Sequence, residues 1–160
     1  MILRPASSPA SVVVDASFLI ALSAKEPGRE ARAHAHLAAY GAGGSQLYAP
    51  GVLVAECLYV LCKKLEAGLL TASQHHQAVL SLETYAGTIA SPPGGEGPLV
   101  LRAEQLRGSY SCRRSADSLY LALAEALAAS GTVELVTFDA GIQNQAAAAR
   151  LVIAVRVLAP

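Results

Sequence analysis

A chain of 160 residues, 53% hydrophobic and only 15% charged, is long enough to bury a proper core and too apolar to be a disordered segment. Its formal net charge of zero, 12 basic against 12 acidic residues, excludes the broad basic surface of a general nucleic-acid binder and confines any phosphate contact to a local patch. No run approaches the roughly 18 to 20 apolar residues of a membrane span, and MILRPASSPA lacks the long apolar core of a signal peptide, so a cytoplasmic protein with no membrane partner is expected.

Residues 1–10 read as a flexible tail ahead of a single domain over 11–160. Three valines, 12 to 14, β-branched and bounded by small polar residues, read as a buried strand that stops at Asp15. A short helix over 17–23 follows, then a break at Pro27-Gly28. Residues 28–40 are helical up to the GAGG of 41–44, and a strand from Gln46 to Ala49 leads to Pro50, well placed to start a helix. That helix, 51–66, is apolar nearly all round and is expected to be buried. Gly68 ends it. Thr71 opens a helix to about Tyr85, a weak strand follows near 87–90, and SPPGGEGP is a loop. Next come a helix over 99–107, a polar basic link, and a helix that Ser115 caps and that runs to about Ala129. Gly131 stops it. VELVT (133–137) is a strand, 140–149 a helix and LVIAVRV (151–157) the last strand. Strands alternating with helices specify an α/β fold with a mostly parallel central sheet flanked by helices.

In such sheets the functional crevice lies beyond the carboxyl ends of the strands. Asp15 ends the first strand and Asp139 stands two residues past Thr137, so two distant acids meet at one edge. Each has a plain structural account: Asp15 and Asp139 can cap the helices that follow them, and Asp117 falls in the first turn of its helix, where the dipole favours a negative charge. Glu56 has no such account. Its helical neighbours Val52, Leu53, Tyr59 and Val60 offer no local ion pair, so its partner must come from outside its own helix. A domain is stable by about 5 to 15 kcal/mol, and a bare buried carboxylate costs several of these. Too few basic residues stand near the four acids to neutralise each separately. One divalent cation with hard oxygen ligands, Mg2+ or Mn2+, would compensate them together.

Other residues carry less. Cys57, Cys62 and Cys112 have no metal spacing and are expected to be buried thiols. His34 and His36 do not share a helix face, and His75 and His76 are adjacent, so none is expected to bind metal. Glu125, without a local partner, is read as structural. Lys63 and Lys64 complement the end of their helix. Arg113 and Arg114, just ahead of Asp117, can grip phosphates or form a solvated basic turn.

The succession VVVDAS, VAECLYVL, SADSLYLALAEAL and ELVTFDAGI resembles the PIN-domain family, and in particular the VapC-type toxin ribonucleases, from about residue 12 to 158. DSLYLALAEAL followed by a strand and TFD is the most specific piece. The resemblance implies a single PIN-like domain whose acidic pocket holds Mg2+ or Mn2+. It assigns Asp15, Glu56, Asp117 and Asp139 as catalytic residues and metal ligands, with Ser17 and Thr137 as supporting hydroxyls. It implies an endoribonuclease that cleaves RNA phosphodiester bonds by metal-activated water, leaving 5′-phosphate and 3′-hydroxyl ends. The expected setting is the toxin of a type II toxin–antitoxin pair, a homodimer blocked by a small antitoxin protein, with helices 28–40 and 51–66 as contact surfaces. The chain departs from the family pattern at Ala116, where an aromatic often precedes the third acid, and at Ala140-Gly141, where basic residues often follow the fourth. Alternatives are a PIN-like RNA-processing nuclease outside a toxin–antitoxin system, and a scaffold that binds RNA or protein without cutting. An unrelated phosphatase would carry a DxD or a glycine-rich turn after strand one, and DAS supplies neither.

Overall fold

A computed structural model describes residues 8–108 and 110–159. Of the tail expected over 1–10, residues 1–7 lie outside the described residues. Pro9 and Ala10 are tied down: the Pro9 carbonyl accepts from Ser45 Oγ at 2.6 Å, the Ala10 amide donates to Thr132 Oγ1 at 2.9 Å, and its carbonyl accepts from the Gln46 amide at 3.0 Å.

The chain runs β1 (Ser11–Val14), α1 (Ala16–Ser23), α2 (Glu30–Ala42), β2 (Gln46–Tyr48), α3 (Val52–Glu66), α4 (Ala72–Ala86), α5 (Gly97–Arg107), a 3₁₀ turn (Cys112–Arg114), α6 (Ser115–Ala128), β3 (Val133–Thr137), α7 (Ala140–Ala148) and β4 (Ala154–Val157). The four strands form one sheet in the order β2-β1-β3-β4, and every pairing is parallel. Parallel strands need crossovers, and helices on both faces explain why Val12, Val13 and Val14 are fully buried rather than alternating. From β1 the chain turns toward β2, and from β3 it turns the opposite way toward β4. The crevice between their carboxyl ends is therefore a topological switch point.

Several boundaries differ from the sequence reading, each for a local reason. Gly28 takes φ +80°, so α2 starts only at Glu30. The weak strand near 87–90 reduces to one parallel bridge, Tyr48 to Ala90. β4 starts three residues later than expected because the Leu151 amide closes the end of α7, donating to the Ala146 carbonyl at 3.0 Å. Thr71 does open α4, as half of a capping box with Gln74. Ser115 does not cap α6. Arg114 holds that position, and no side chain makes the cap bond.

The larger correction concerns α3. Only Leu53, Cys57 and Leu61 are buried, at helical spacing, while Val54, Leu58, Tyr59 and Leu65 are exposed, Tyr59 by 67%. The helix is one wall of the core with an apolar outer face. Of the three thiols only Cys57 is buried; Cys62 and Cys112 are exposed. Glu125 has a partner after all, a forked pair with Arg102 at 2.6 and 2.8 Å. Lys63 pairs with Glu66 and Lys64 reaches Glu26 at 2.7 Å. None of the described helices is long and apolar enough to cross a membrane.

Candidate active site

The register of the sheet builds the first half of the site. Val14 pairs with Val136, so the next residues, Asp15 and Thr137, face each other at the ends of β1 and β3. Thr137 Oγ1 donates to Asp15 Oδ2 at 2.8 Å, and Ser17 Oγ donates to Asp15 Oδ1 at 2.8 Å. The Phe18 amide also donates to Oδ1 at 3.1 Å, so Asp15 does cap α1 as its plain reading requires. Ser17 Oγ and Thr137 Oγ1 in turn accept the amides of Phe138 and Asp139, each at 2.8 Å. One pair of hydroxyls thus locks the carboxylate of β1 to the chain leaving β3.

Asp15 is only 4% exposed. Burial raises its pKa to about 6 against the bonds from Ser17, Thr137 and Phe18, and the charge of Asp117 raises it further. Capping alone does not call for a carboxylate so deep.

The second half comes from helices on the way between β2 and β3. Glu56, on α3, projects toward α6, where Tyr120 Oη donates to its Oε2 at 2.6 Å. This is the partner from outside its own helix that the sequence demands. Burial raises the Glu56 pKa, and Asp117 adds to the shift over the relief from Tyr120. Tyr120→Phe removes that donor while keeping the buried ring. The variant is expected to lose about 1 to 2 kcal/mol of stability at neutral pH, measured by urea denaturation, because a part-buried carboxylate is left without its partner.

Asp117, in the first turn of α6, has its side chain 16% exposed, and burial raises its pKa against the Arg114 guanidinium. Asp139, 45% exposed, stands at the mouth, where its Oδ1 caps α7 by accepting the Gly141 amide at 2.7 Å. Arg114 Nη1 donates to both, at 2.6 Å to Asp117 and 2.9 Å to Asp139. The four carboxylates therefore converge from β1, α3, α6 and the β3–α7 turn. Their charges act on one another: Asp117 on Asp15 and Glu56, and Asp139 on Asp117.

Ser17 and Thr137, the hydroxyls that the resemblance assigns as supporting, both donate to Asp15. Arg114 does not reach outward from a basic link but lies among the acids, and Arg113 beside it is exposed. Sequence reasoning missed Arg29, whose guanidinium lies 5.2 Å from the centre of the Phe138 ring, at the β3 end of the site. No residue pattern signals that contact. It also missed the bridging role of Arg114, although a three-residue step to Asp117 within a helical turn was visible.

Among the described residues, no group of three or more His, Cys, Asp or Glu is arranged to hold a metal ion. The donor chemistry nonetheless fits Mg2+ or Mn2+: all four side chains offer hard oxygens, three of them have pKa values raised by burial and by a neighbouring acid, and a single guanidinium cannot neutralise four acids. Asp15, Glu56, Asp117 and Asp139 are the residues that would hold it.

A sequence model of the PIN domain matches residues 12–148, most of the chain. The chain belongs to the PIN-domain family. Proteins of this family are generally nucleases that use a divalent metal. Among solved structures, the chain is similar to one in the crystal structure of VapBC2 from Rickettsia felis bound to a DNA fragment from their promoter, at TM-score 0.62 and 13% identity over 93% of this chain and 99% of that one. It is also similar to one in FitAcB from Neisseria gonorrhoeae, at TM-score 0.56 and 20% identity over 90% of this chain and 95% of that one. PAE2754 from Pyrobaculum aerophilum matches at TM-score 0.56 and 20% identity over 94% and 92%. These likenesses are of fold. No curated protein matches the chain in sequence.

Proposed function

We propose that this PIN-domain protein is a metal-dependent endoribonuclease, the toxin of a type II toxin–antitoxin pair. The observation that carries the nuclease reading is the convergence of Asp15, Glu56, Asp117 and Asp139, from four separate segments, on the switch point between β1 and β3. A divalent ion held there by these acids would supply Lewis acidity to the scissile phosphate and lower the pKa of an attacking water. The protein's own part is positional. Ser17 and Thr137 fix Asp15 at the centre, Tyr120 fixes Glu56, and Asp139, half-exposed, orients water at the mouth. Arg113, exposed beside the pocket, contacts a neighbouring RNA phosphate. Arg114 joins it only when its two carboxylates are compensated in another way.

The toxin reading is supported by the sequence resemblance to VapC-type toxins and by the fold shared with chains of VapBC2 and FitAcB. The exposed apolar residues of α3, Val54, Leu58 and Tyr59, suit a homodimer contact or an antitoxin segment. End-labelled RNA incubated with Mg2+ or Mn2+ tests the activity. Cleavage to 5′-phosphate and 3′-hydroxyl ends, lost in Asp15→Asn, is expected. Equal cutting by Asp15→Asn would refute the assigned roles, and RNA retention without cutting would favour the scaffold.

A further inference from the structure

Arg114 stands where a cation is needed, and three features keep it there. Its Nη1 lies 2.6 Å from Asp117 Oδ2 and 2.9 Å from Asp139 Oδ2, joining an acid of α6 to one at the start of α7. Its seat is made by a glycine: a Cβ built on Gly141 would lie 2.1 Å from Arg114 Nη2 and 2.6 Å from Cζ. Its backbone is pinned, because the Arg114 carbonyl accepts from Ser118 Oγ at 2.8 Å and Ser118 Oγ accepts from Gln145 Nε2 at 2.8 Å. Gln145 is fully buried and its Nε2 also donates to the Leu106 carbonyl at 3.1 Å. The main chain is therefore held by three helices, while the side chain, 31% exposed, has solvent to swing into.

Both oxygens of Asp139 already have a donor, Oδ1 from the Gly141 amide and Oδ2 from Arg114. We propose that Arg114 is a built-in placeholder for the divalent cation: it partly offsets the charge of Asp117 and Asp139 in the metal-free protein and gives way when the ion enters. This rests on the acidic cluster being a metal site. An ion that takes Asp139 Oδ2 must displace Arg114 from it, and its repulsion of the guanidinium across a part-buried crevice then works against the remaining bond to Asp117. The same bonds that stabilise the metal-free fold then oppose metal binding. Removing them shifts the two properties in opposite directions, whereas an arginine that merely props the acids in place would weaken both, and one that acts only through its charge would show the shift in a charge deletion but not in a variant that keeps the charge.

Two variants of the full chain separate these cases. Arg114→Gln deletes the charge. Gly141→Ala keeps it but intrudes on the seat, and the atoms it meets are the far end of a flexible side chain, so the guanidinium yields rather than the fold. Mn2+ affinity is read from the electron paramagnetic resonance of free Mn2+, and metal-free stability from calorimetry. Both variants are expected to bind Mn2+ roughly tenfold tighter, the equivalent of one charge-assisted bond at a part-exposed site, and to melt at a lower temperature without metal. Unchanged or weaker Mn2+ affinity in the variants, beside normal binding by the parent protein, would overturn the placeholder while leaving the metal site intact. Tighter binding in Arg114→Gln alone would also overturn it, in favour of a general effect of charge. Absence of Mn2+ binding in all three proteins would instead bring down the metal-site reading, and the placeholder with it.

Discussion

Asp15→Asn is expected to raise the melting temperature of the metal-free protein by about 5 °C at pH 7.5 while abolishing RNA cleavage. The two effects share one cause. The carboxylate is buried at the end of β1, and burial outweighs the donors it receives from Ser17, Thr137 and Phe18, leaving its pKa at about 6. Holding it ionised at neutral pH costs the fold about 3 kcal/mol relative to the unfolded chain, the equivalent of a shift from 3.8 to about 6. Asparagine keeps the shape and one accepting oxygen, and the two hydroxyls can turn to accept from its amide. Part of the gain is lost with the charge-assisted bonds, hence the smaller figure. A melting temperature that falls, by calorimetry in the presence of a chelator, would mean that Asp15 serves the fold as a cap and is not held there against the fold's stability.

The metal-free protein is also expected to lose stability as pH rises from about 4 to about 6. Within that window the folded state keeps a proton on Asp15 that the unfolded chain, with a pKa near 3.8, has already released. Folding therefore binds a proton, and stability declines as protons become scarce, by about 2 kcal/mol across the window and about 3 kcal/mol in all once the pH is well above the folded-state value. Glu56 and Asp117 are displaced in the same direction, each mainly by burial, with the charge of Asp117 adding to the shift of Glu56 and that of Asp139 to the shift of Asp117. Glu134 and Glu125, lowered by Arg156 and Arg102 against their own burial, act in the opposite sense. The difference between urea-denaturation profiles of the parent and of Asp15→Asn removes these background groups. Mn2+ at about 100 times its dissociation constant is expected to return about 3 kcal/mol at pH 7.5. A difference profile that stays flat between pH 4 and 6 would contradict the buried, proton-holding Asp15.

Much of this was legible in the sequence because short-range rules carried it. The β-branched run at 12–14, the break at Pro27-Gly28 and the threonine at 71 placed β1, α2 and α4 without knowledge of their neighbours. The solitude of Glu56 on its helix correctly demanded a partner from elsewhere, and Tyr120 on α6 supplies it. What escaped depends on which face meets which. α3 is apolar on both sides, so composition could not say that only Leu53, Cys57 and Leu61 turn inward. Glu125 and Arg102 lie on helices brought together by packing, out of reach of any local rule. Arg114 was visible as a basic residue near an acid, but its hold on Asp139 exists only once β3 and α6 are side by side and Gly141 leaves the space.

Crystals grown with Mn2+, with diffraction recorded at its absorption edge, would read the position of the ion directly. The expected result is an anomalous peak in the crevice between β1 and β3, about 2.0 to 2.3 Å from oxygens of Asp15 and at least one of Glu56, Asp117 and Asp139. A crevice with no peak at saturating Mn2+, Glu56 still on Tyr120 and Asp117 and Asp139 still on Arg114, would mean that protein donors alone compensate these acids and that no hydrolytic metal centre is formed.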